Sequence, residues 1–332
     1  SGDTWRPKKH RSKTPRYKEE ARLDLNAHLE NMRGLALSLF ILLCLDRKYR
    51  QISDSRQNRP ASPVEGGMSC SNMRLGVTEN KPVYMFTQSE ASDQLAIEYL
   101  QGEKGRTPAF AKAWGDAEVF MRNNKRIQVP VGLRDQHVLA ILAYTSKTDL
   151  HWKFNDALQF YQANDTVYAE KFNFKSFHYL LSVALDRLRS TSGPAAGTTY
   201  RGIKNRSKAQ EGCNMTFGQF ASSSRDMQTA RGFGTATVFN ITSLKGVYIA
   251  SYSLFQKQRE VLIPPDEVFK VARYFSGDKG DEISLEAVGE AGIAVKVERE
   301  ADGDMQVVRS VGAALYAVAL WCAVAVLAPI FL

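Results

Sequence analysis

Metal-binding and common nucleotide-binding signatures are missing from this chain of 332 residues. Its five histidines are scattered and its four cysteines include no C-x-x-C pair, so no metal site is expected. No Gly-x-Gly-x-x-Gly stands between a strand and a helix, and a Walker loop and an H-E-x-x-H helix are also absent, which removes the usual dinucleotide, triphosphate and zinc-protease sites. No internal repeat is visible. Away from its start the chain also has little net charge. Residues 1–50 hold twelve Lys/Arg and six Asp/Glu, so +6 of the formal +9 sits there. Charge confined to an end segment says little about a folded domain, and no nucleic-acid partner is expected. What remains is ordinary globular composition, 44% hydrophobic, enough for one large domain or two small ones.

Long apolar runs occur only near the two ends. Leu35 to Leu45, preceded by Met32-Arg33, is short for a bilayer span and has the basic start of a signal peptide. A buried core helix is the alternative, and Asp46-Arg47-Lys48 directly afterwards favours the targeting reading. On that reading residues 1–31 are an upstream extension before an initiating Met32, 32–45 the signal sequence and the polar stretch 46–80 a linker. The second run, Val311 to Leu332, carries no charge. Ala301 and Gly303 upstream, followed by a polar spacer to Ser310, make 301–332 read as a GPI-attachment signal, with a plain C-terminal membrane anchor as the alternative. Four N-x-Ser/Thr sequons, at Asn164, Asn205, Asn214 and Asn240, fit an exported glycoprotein, held at the cell surface or secreted. Cys70 and Cys213 are the two cysteines outside the apolar runs, and a disulfide between them is left open.

The folded domain is expected over 81–300. From about 88 to 190 apolar residues recur at helical spacing, in Gln94–Leu100, Phe110–Phe120, Asp135–Tyr144 and Phe172–Leu188. After about 198 the pattern turns to short strands rich in aromatic and β-branched residues: Thr198–Ile203, Thr216–Ser222, Ala236–Ile241, Gly246–Ala250 and Glu260–Ile263. Glu267–Phe275 and Glu282–Val288 flank Gly277-Asp278-Lys279-Gly280 and predict a hairpin. Helices followed by strands imply an α+β fold rather than an alternating one.

Three strand-borne segments carry the chemistry. In Thr199-Tyr200-Arg201-Gly202 an arginine fork able to hold a diphosphate stands beside a glycine that lets a backbone approach a ligand. In Phe217-Gly218-Gln219-Phe220-Ala221-Ser222-Ser223-Ser224, alternation puts Ser222 and Ser224 on one face and Ser223 on the other. With no histidine nearby in sequence, Ser222 reads as a positioning group. In the third, Tyr252 to Pro265, the same alternation is expected to project Gln258 and Glu260 to one side and Arg259 to the other. A carboxylate opening an apolar strand becomes electrostatically strong if the fold buries it. Taken singly, each has a plainer explanation: a strand-to-turn junction, local serine hydrogen bonds, a solvated glutamate.

Together, in order, spacing and flanks, the three segments resemble the arginine-type mono-ADP-ribosyltransferases, whose signature is an Arg–Ser–Glu triad on three strands. The resemblance extends back through Leu133–Thr145 and Phe172–Tyr179 and covers roughly residues 84–298. It implies an antiparallel, sandwich-like NAD-binding core behind a helical half, with NAD⁺ (or NADP⁺) as substrate and no metal. It further implies that Arg201 holds the NAD⁺ diphosphate and, with Ser222, the strand scaffold beneath it. Gly202 offers backbone groups to the nicotinamide carboxamide. Glu260 binds the nicotinamide-ribose hydroxyl and stabilises the oxocarbenium-like centre. Tyr252, Phe255 and Gln258 fall in the acceptor loop.

The chain departs from the pattern in two places. Arginine-modifying members carry Glu-x-Glu where this chain has Gln258-Arg259-Glu260, and an amide cannot act as a base toward a guanidinium. The expectation is NAD⁺ glycohydrolysis with weak arginine transfer to an unidentified protein acceptor. The alternative is a catalytically weak surface glycoprotein using the fold as a binding module. The family's disulfide cysteines are also missing, and Ser243 stands where a partner is often found.

Overall fold

The computed structural model describes residues 83–161, 164–301 and 303–310. All belong to Met68–Leu332, one of two units into which the chain divides. The other unit, Ser1–Gly67, lies outside the described residues, as do the linker to residue 80, Cys70 and the run 311–332. The expected extension, signal sequence and anchor therefore fall outside them too.

A short strand, β1 (Tyr84–Phe86), leads into six helices: α1 (Glu90–Arg106), α2 (Pro108–Asn123), α3 (Asp135–Tyr144), α4 (Leu150–Tyr161), α5 (Asp165–Lys171) and α6 (Lys175–Ser192). Their ends follow from local chemistry. The Ser89 hydroxyl accepts from the Ser92 amide to cap α1, whose first turn carries Glu90 and Asp93 and whose last carries Lys104 and Arg106, each sign opposing the helix dipole. Pro108 opens α2, where its missing N–H costs nothing. The helices bury an aromatic-rich core around Trp114, Phe154, Phe177 and Phe220. The sequence stripes find α1, α2, α3 and α6; α4 and α5, within the helical region, had no stripe assigned.

Two buried carboxylates tie these helices together. Asp93 of α1 accepts from Arg187 at 2.7 and 3.0 Å and from the Tyr179 hydroxyl at 2.8 Å, both on α6. Burial alone would raise its pKa, but hydrogen bonds from His137, Arg187 and Tyr179 outweigh it and hold the carboxyl well below the usual range. Glu103, fully buried, accepts the backbone N–H groups of Lys175 (2.5 Å) and Ser176 (3.0 Å) at the start of α6, and the Ser176 hydroxyl as well.

The second half is an eight-stranded sheet in the order β3-β8-β9-β5-β2-β4-β7-β6. Its strands are β2 (Thr198–Ile203), β3 (Asn214–Thr216), β4 (Ala221–Ser224), β5 (Thr237–Thr242), β6 (Val247–Tyr248), β7 (Glu260–Ile263), β8 (Glu267–Gly277) and β9 (Gly280–Glu290), with one helix, α7 (Met227–Phe233), between β4 and β5. The strands β2 and β7 have the bounds read from sequence, and β8 and β9 form the expected hairpin, closing at Gly277↔Gly280. The single strand expected over Thr216–Ser222 is instead β3 and β4, separated by Phe217–Phe220. The reason lies in packing: Phe217 belongs to a core beneath the sheet, and Phe220 to the helical core, so the chain turns between them, with Gly218 at φ 60°. The strand expected over Gly246–Ala250 is only two residues long before a 3₁₀ turn, Ala250–Tyr252.

A second sheet, β1-β10-β11, was not read from sequence; it adds β10 (Ile293–Arg299) and β11 (Met305–Arg309), with β1 parallel to β10. It carries regular structure past residue 300. Ala301 and Gly303 form the turn between β10 and β11, Met305 is fully buried, and the Ser310 amide bonds the Ala294 carbonyl at 2.8 Å. The polar spacer is thus a strand, and chain cleavage at 301–303 would strip it from its sheet. The fold class stands as α+β, mainly antiparallel, with parallel pairs β5/β9 and β1/β10.

Candidate active site

Three adjacent strands carry Arg201 (β2), Ser222 (β4) and Glu260 (the first residue of β7). The strands β4 and β7 pair along their whole length, Ala221↔Ile263 to Ser224↔Glu260. By contrast the β2/β4 ladder holds the single pair Tyr200↔Ser224, with the Ser223 hydroxyl donating to the Thr199 hydroxyl at 3.1 Å alongside it. Beyond that pair the two strands no longer form a ladder next to Arg201 and Gly202. The Arg201 guanidinium reaches from β2 to β4 and donates through Nη1 to the Ser222 carbonyl at 2.7 Å. A guanidinium has five N–H donors, so this bond leaves capacity for an anion. Burial lowers the Arg201 pKa, opposed by Tyr144 and Glu260.

Glu260 is 7% exposed. Burial raises its pKa, and hydrogen bonds from Ser222 and Ser253 and the charge of Arg201 offset part of that rise. The Ser253 hydroxyl, itself fully buried, lies 3.3 Å from Glu260 Oε2. The one proton of the Ser222 hydroxyl serves either Glu260 or the Tyr144 hydroxyl, which itself donates to the Phe220 carbonyl at 3.0 Å and accepts from Asn155 Nδ2 at 3.1 Å. Burial pushes the Tyr144 pKa up to about 12, so it stays a neutral hydroxyl. His151 of α4 lies 6.2 Å, ring to ring, from Tyr144, with its pKa lowered mainly by burial and partly by Arg201.

Sequence reasoning missed Tyr144, His151, Asn155 and Ser253. They come from α3, α4 and the loop before β7, and no periodicity pointed them at the sheet.

The alternation expected for Gln258 and Glu260 does not hold. Gln256–Gln258 is a 3₁₀ turn and Arg259 sits at φ 49°, so the strand starts only at Glu260. Gln258 is placed by its backbone: its carbonyl accepts from the Ser224 hydroxyl at 2.6 Å. Phe255 is half-buried, with Lys147 5.7 Å above its ring, and Tyr252 packs against the helical core. Gly202 lies directly under α7, where a Cβ would fall 2.2 Å from the Gly234 carbonyl oxygen and 2.3 Å from that of Ala230.

Asn164, Asn205 and Asn214 are exposed, and Asn164 caps α5. Asn240 is half-buried on β5, between β2 and β9, with its amide oxygen enclosed and unpartnered. Cys213 is disulfide-bonded and is the sole cysteine among the described residues. Among those residues no group of three or more His, Cys, Asp or Glu could hold a metal ion.

Chemically, the arrangement is a buried carboxylate held by two hydroxyls beside an arginine anchored to the neighbouring strand. Such a carboxylate stabilises positive charge developing on a ligand, and the arginine suits a phosphate.

A family model described as NAD:arginine ADP-ribosyltransferase matches residues 87–292. Ecto-ADP-ribosyltransferase 5 of Rattus norvegicus is 35% identical over 193 residues, 56% of this chain and 63% of the relative. GPI-linked NAD(P)(+)--arginine ADP-ribosyltransferase 1 of Mus musculus is 38% identical over 163 residues, 48% and 50% of the two chains. The chain spans less than two thirds of the length of the ecto-ADP-ribosyltransferase 5 relatives it matches, 61–66%. Among solved structures, the eukaryotic mono-ADP-ribosyltransferase ART2.2 superposes with a TM-score of 0.52 at 29% identity, covering 61% of this chain and 88% of that one. A mutant of ART2.2 in complex with NAD gives 0.52 at 28%, covering 64% and 97%.

Proposed function

The chain belongs to the NAD:arginine ADP-ribosyltransferase family, and from that premise we propose that it cleaves NAD⁺ at the nicotinamide–ribose bond and passes ADP-ribose to a protein acceptor or to water. The observation that carries this reading is the burial of Glu260 between two hydroxyl donors, Ser222 and Ser253, with Arg201 anchored to the neighbouring strand. As nicotinamide leaves, positive charge develops at the anomeric carbon. A fixed carboxylate in a water-poor site stabilises that charge without reorganising. Arg201 holds the diphosphate, Gly202 offers backbone groups to the carboxamide, and Ser222 keeps Glu260 and Tyr144 in register. ART2.2 has been solved with NAD, which supports the assignment of the substrate.

Gln258 directs the balance toward hydrolysis. Its amide cannot take a proton from, or pair with, an acceptor guanidinium. Export, surface anchoring through 311–332 and glycosylation at Asn164, Asn205 and Asn214 belong to the same reading, supported by the GPI-linked relative.

The test is nicotinamide release from NAD⁺ by the full chain, with and without an arginine analogue. Release independent of the analogue supports a glycohydrolase, and release stimulated by it a transferase. No release from folded protein leaves a surface domain that uses the fold for binding.

A further inference from the structure

The Glu260 carboxylate and the segment before it are held by three hydroxyls from different elements. Ser253 Oγ contacts Glu260 Oε2 at 3.3 Å while accepting the Phe255 amide at 3.1 Å. Thr145 Oγ1, at the end of α3, accepts the Leu254 amide at 3.3 Å. Ser224 Oγ donates to the Gln258 carbonyl at 2.6 Å. Residues 253–258 are thereby fastened at both ends, and Ser253 is the one whose side chain also touches the carboxylate. A hydroxyl has one donor and two acceptor positions, so a single serine can serve both partners at once. Its full burial excludes water as a substitute donor.

We propose that Ser253 is a positioning residue, fastening the acceptor loop to the Glu260 carboxylate and holding that carboxylate in one orientation at the start of β7. The proposal rests on the role given above to Glu260. Ser222 sits on β4, outside the loop, whereas Ser253 links loop position to carboxylate orientation. Displacement of the loop by an acceptor would then be felt at the reacting centre.

The experiment follows nicotinamide release against pH for wild type, Ser253→Ala and Ser253→Thr, together with a ¹³C-detected titration of the Glu260 carboxyl in each protein. A hydrogen bond to a charged group corresponds to about one pH unit or more. The expected result is an acid limb moved up by about one unit in Ser253→Ala, kcat at pH 7 lowered about tenfold, KM for NAD⁺ little changed, and near-wild-type behaviour in Ser253→Thr. If alanine prevents folding, Ser253→Cys, similar in shape but a poor donor, takes its place. Coincident titrations of Glu260 in wild type and Ser253→Ala would overturn the proposal, as would equal losses in the threonine and alanine variants. Should no protein release nicotinamide, the NAD⁺ reading falls, while the carboxyl titration still decides the role of Ser253.

Discussion

Arg201 and Ser222 are joined across two strands that have stopped pairing: Arg201 Nη1 donates to the Ser222 carbonyl at 2.7 Å where the β2/β4 ladder has ended. The guanidinium joins β2 to β4 where no ladder bond does. Replacement by lysine keeps a charge but not the planar fork. Arg201→Lys is expected to lose about 1.5–3 kcal/mol of stability, read by urea unfolding, and to reduce nicotinamide release more than that loss explains.

Glu260→Gln should remove NAD⁺ turnover by about 10²–10³-fold while leaving the fold intact, since the amide is near-isosteric and burying it avoids desolvating a charge. In the wild type the pKa of Glu260 is raised above its ordinary 4.5 by burial. The ionised form is the active one, so turnover is expected to fall on acidification with a midpoint above 4.5. A pH–rate profile of kcat checks this; a midpoint at or below the ordinary value counts against it.

At Gly202 the added methyl of alanine would meet two main-chain carbonyl oxygens of the α7 segment, at 2.2 and 2.3 Å. Backbone cannot swing aside as a flexible side chain can. Gly202→Ala should cost at least about 1–3 kcal/mol and lift α7 from β2. Thermal melting and increased amide exchange in Met227–Phe233 would show it.

Gln258→Glu restores a carboxylate at a position whose backbone is already fixed by Ser224. Transfer to an arginine analogue, relative to NAD⁺ hydrolysis, is expected to rise by about 10²-fold. Measuring both products in one reaction gives the ratio. An unchanged ratio would mean that the 3₁₀ turn aims this side chain away from the acceptor.

Glu103 has its pKa pushed up to about 7 by burial, against the hydrogen bonds from Ser176 and Lys175. A raised carboxylate pKa favours the protonated form in the folded state. The associated stability is full below the unfolded value, near 4.5, and is lost as pH rises through about 7. Denaturant unfolding between pH 4 and 8 should show a decline of up to about 3 kcal/mol from this group, and Glu103→Gln should flatten it.

Much of the fold could be read from residue patterns, because the signals involved are local. Thr198–Ile203 and Glu260–Ile263 are bounded by glycine and proline punctuation, and both strands have the expected bounds. The break between β3 and β4 was invisible, since Phe217 and Phe220 look alike in sequence and differ only in which core receives them. β11 likewise reads as a spacer in sequence: its residues are mixed in polarity, and only pairing with β10 makes them a strand.

At the site, the sequence by itself determined the identities and order of Arg201, Ser222 and Glu260, because three short motifs with fixed flanks are covalent facts. Tertiary structure alone decided that Glu260 is buried, that Arg201 bonds the Ser222 backbone, and that Ser253, Tyr144 and His151 surround them. Those residues approach from the helical half and from an irregular loop. No period of two or 3.6 encodes such convergence, which arises when the helical core packs against the sheet.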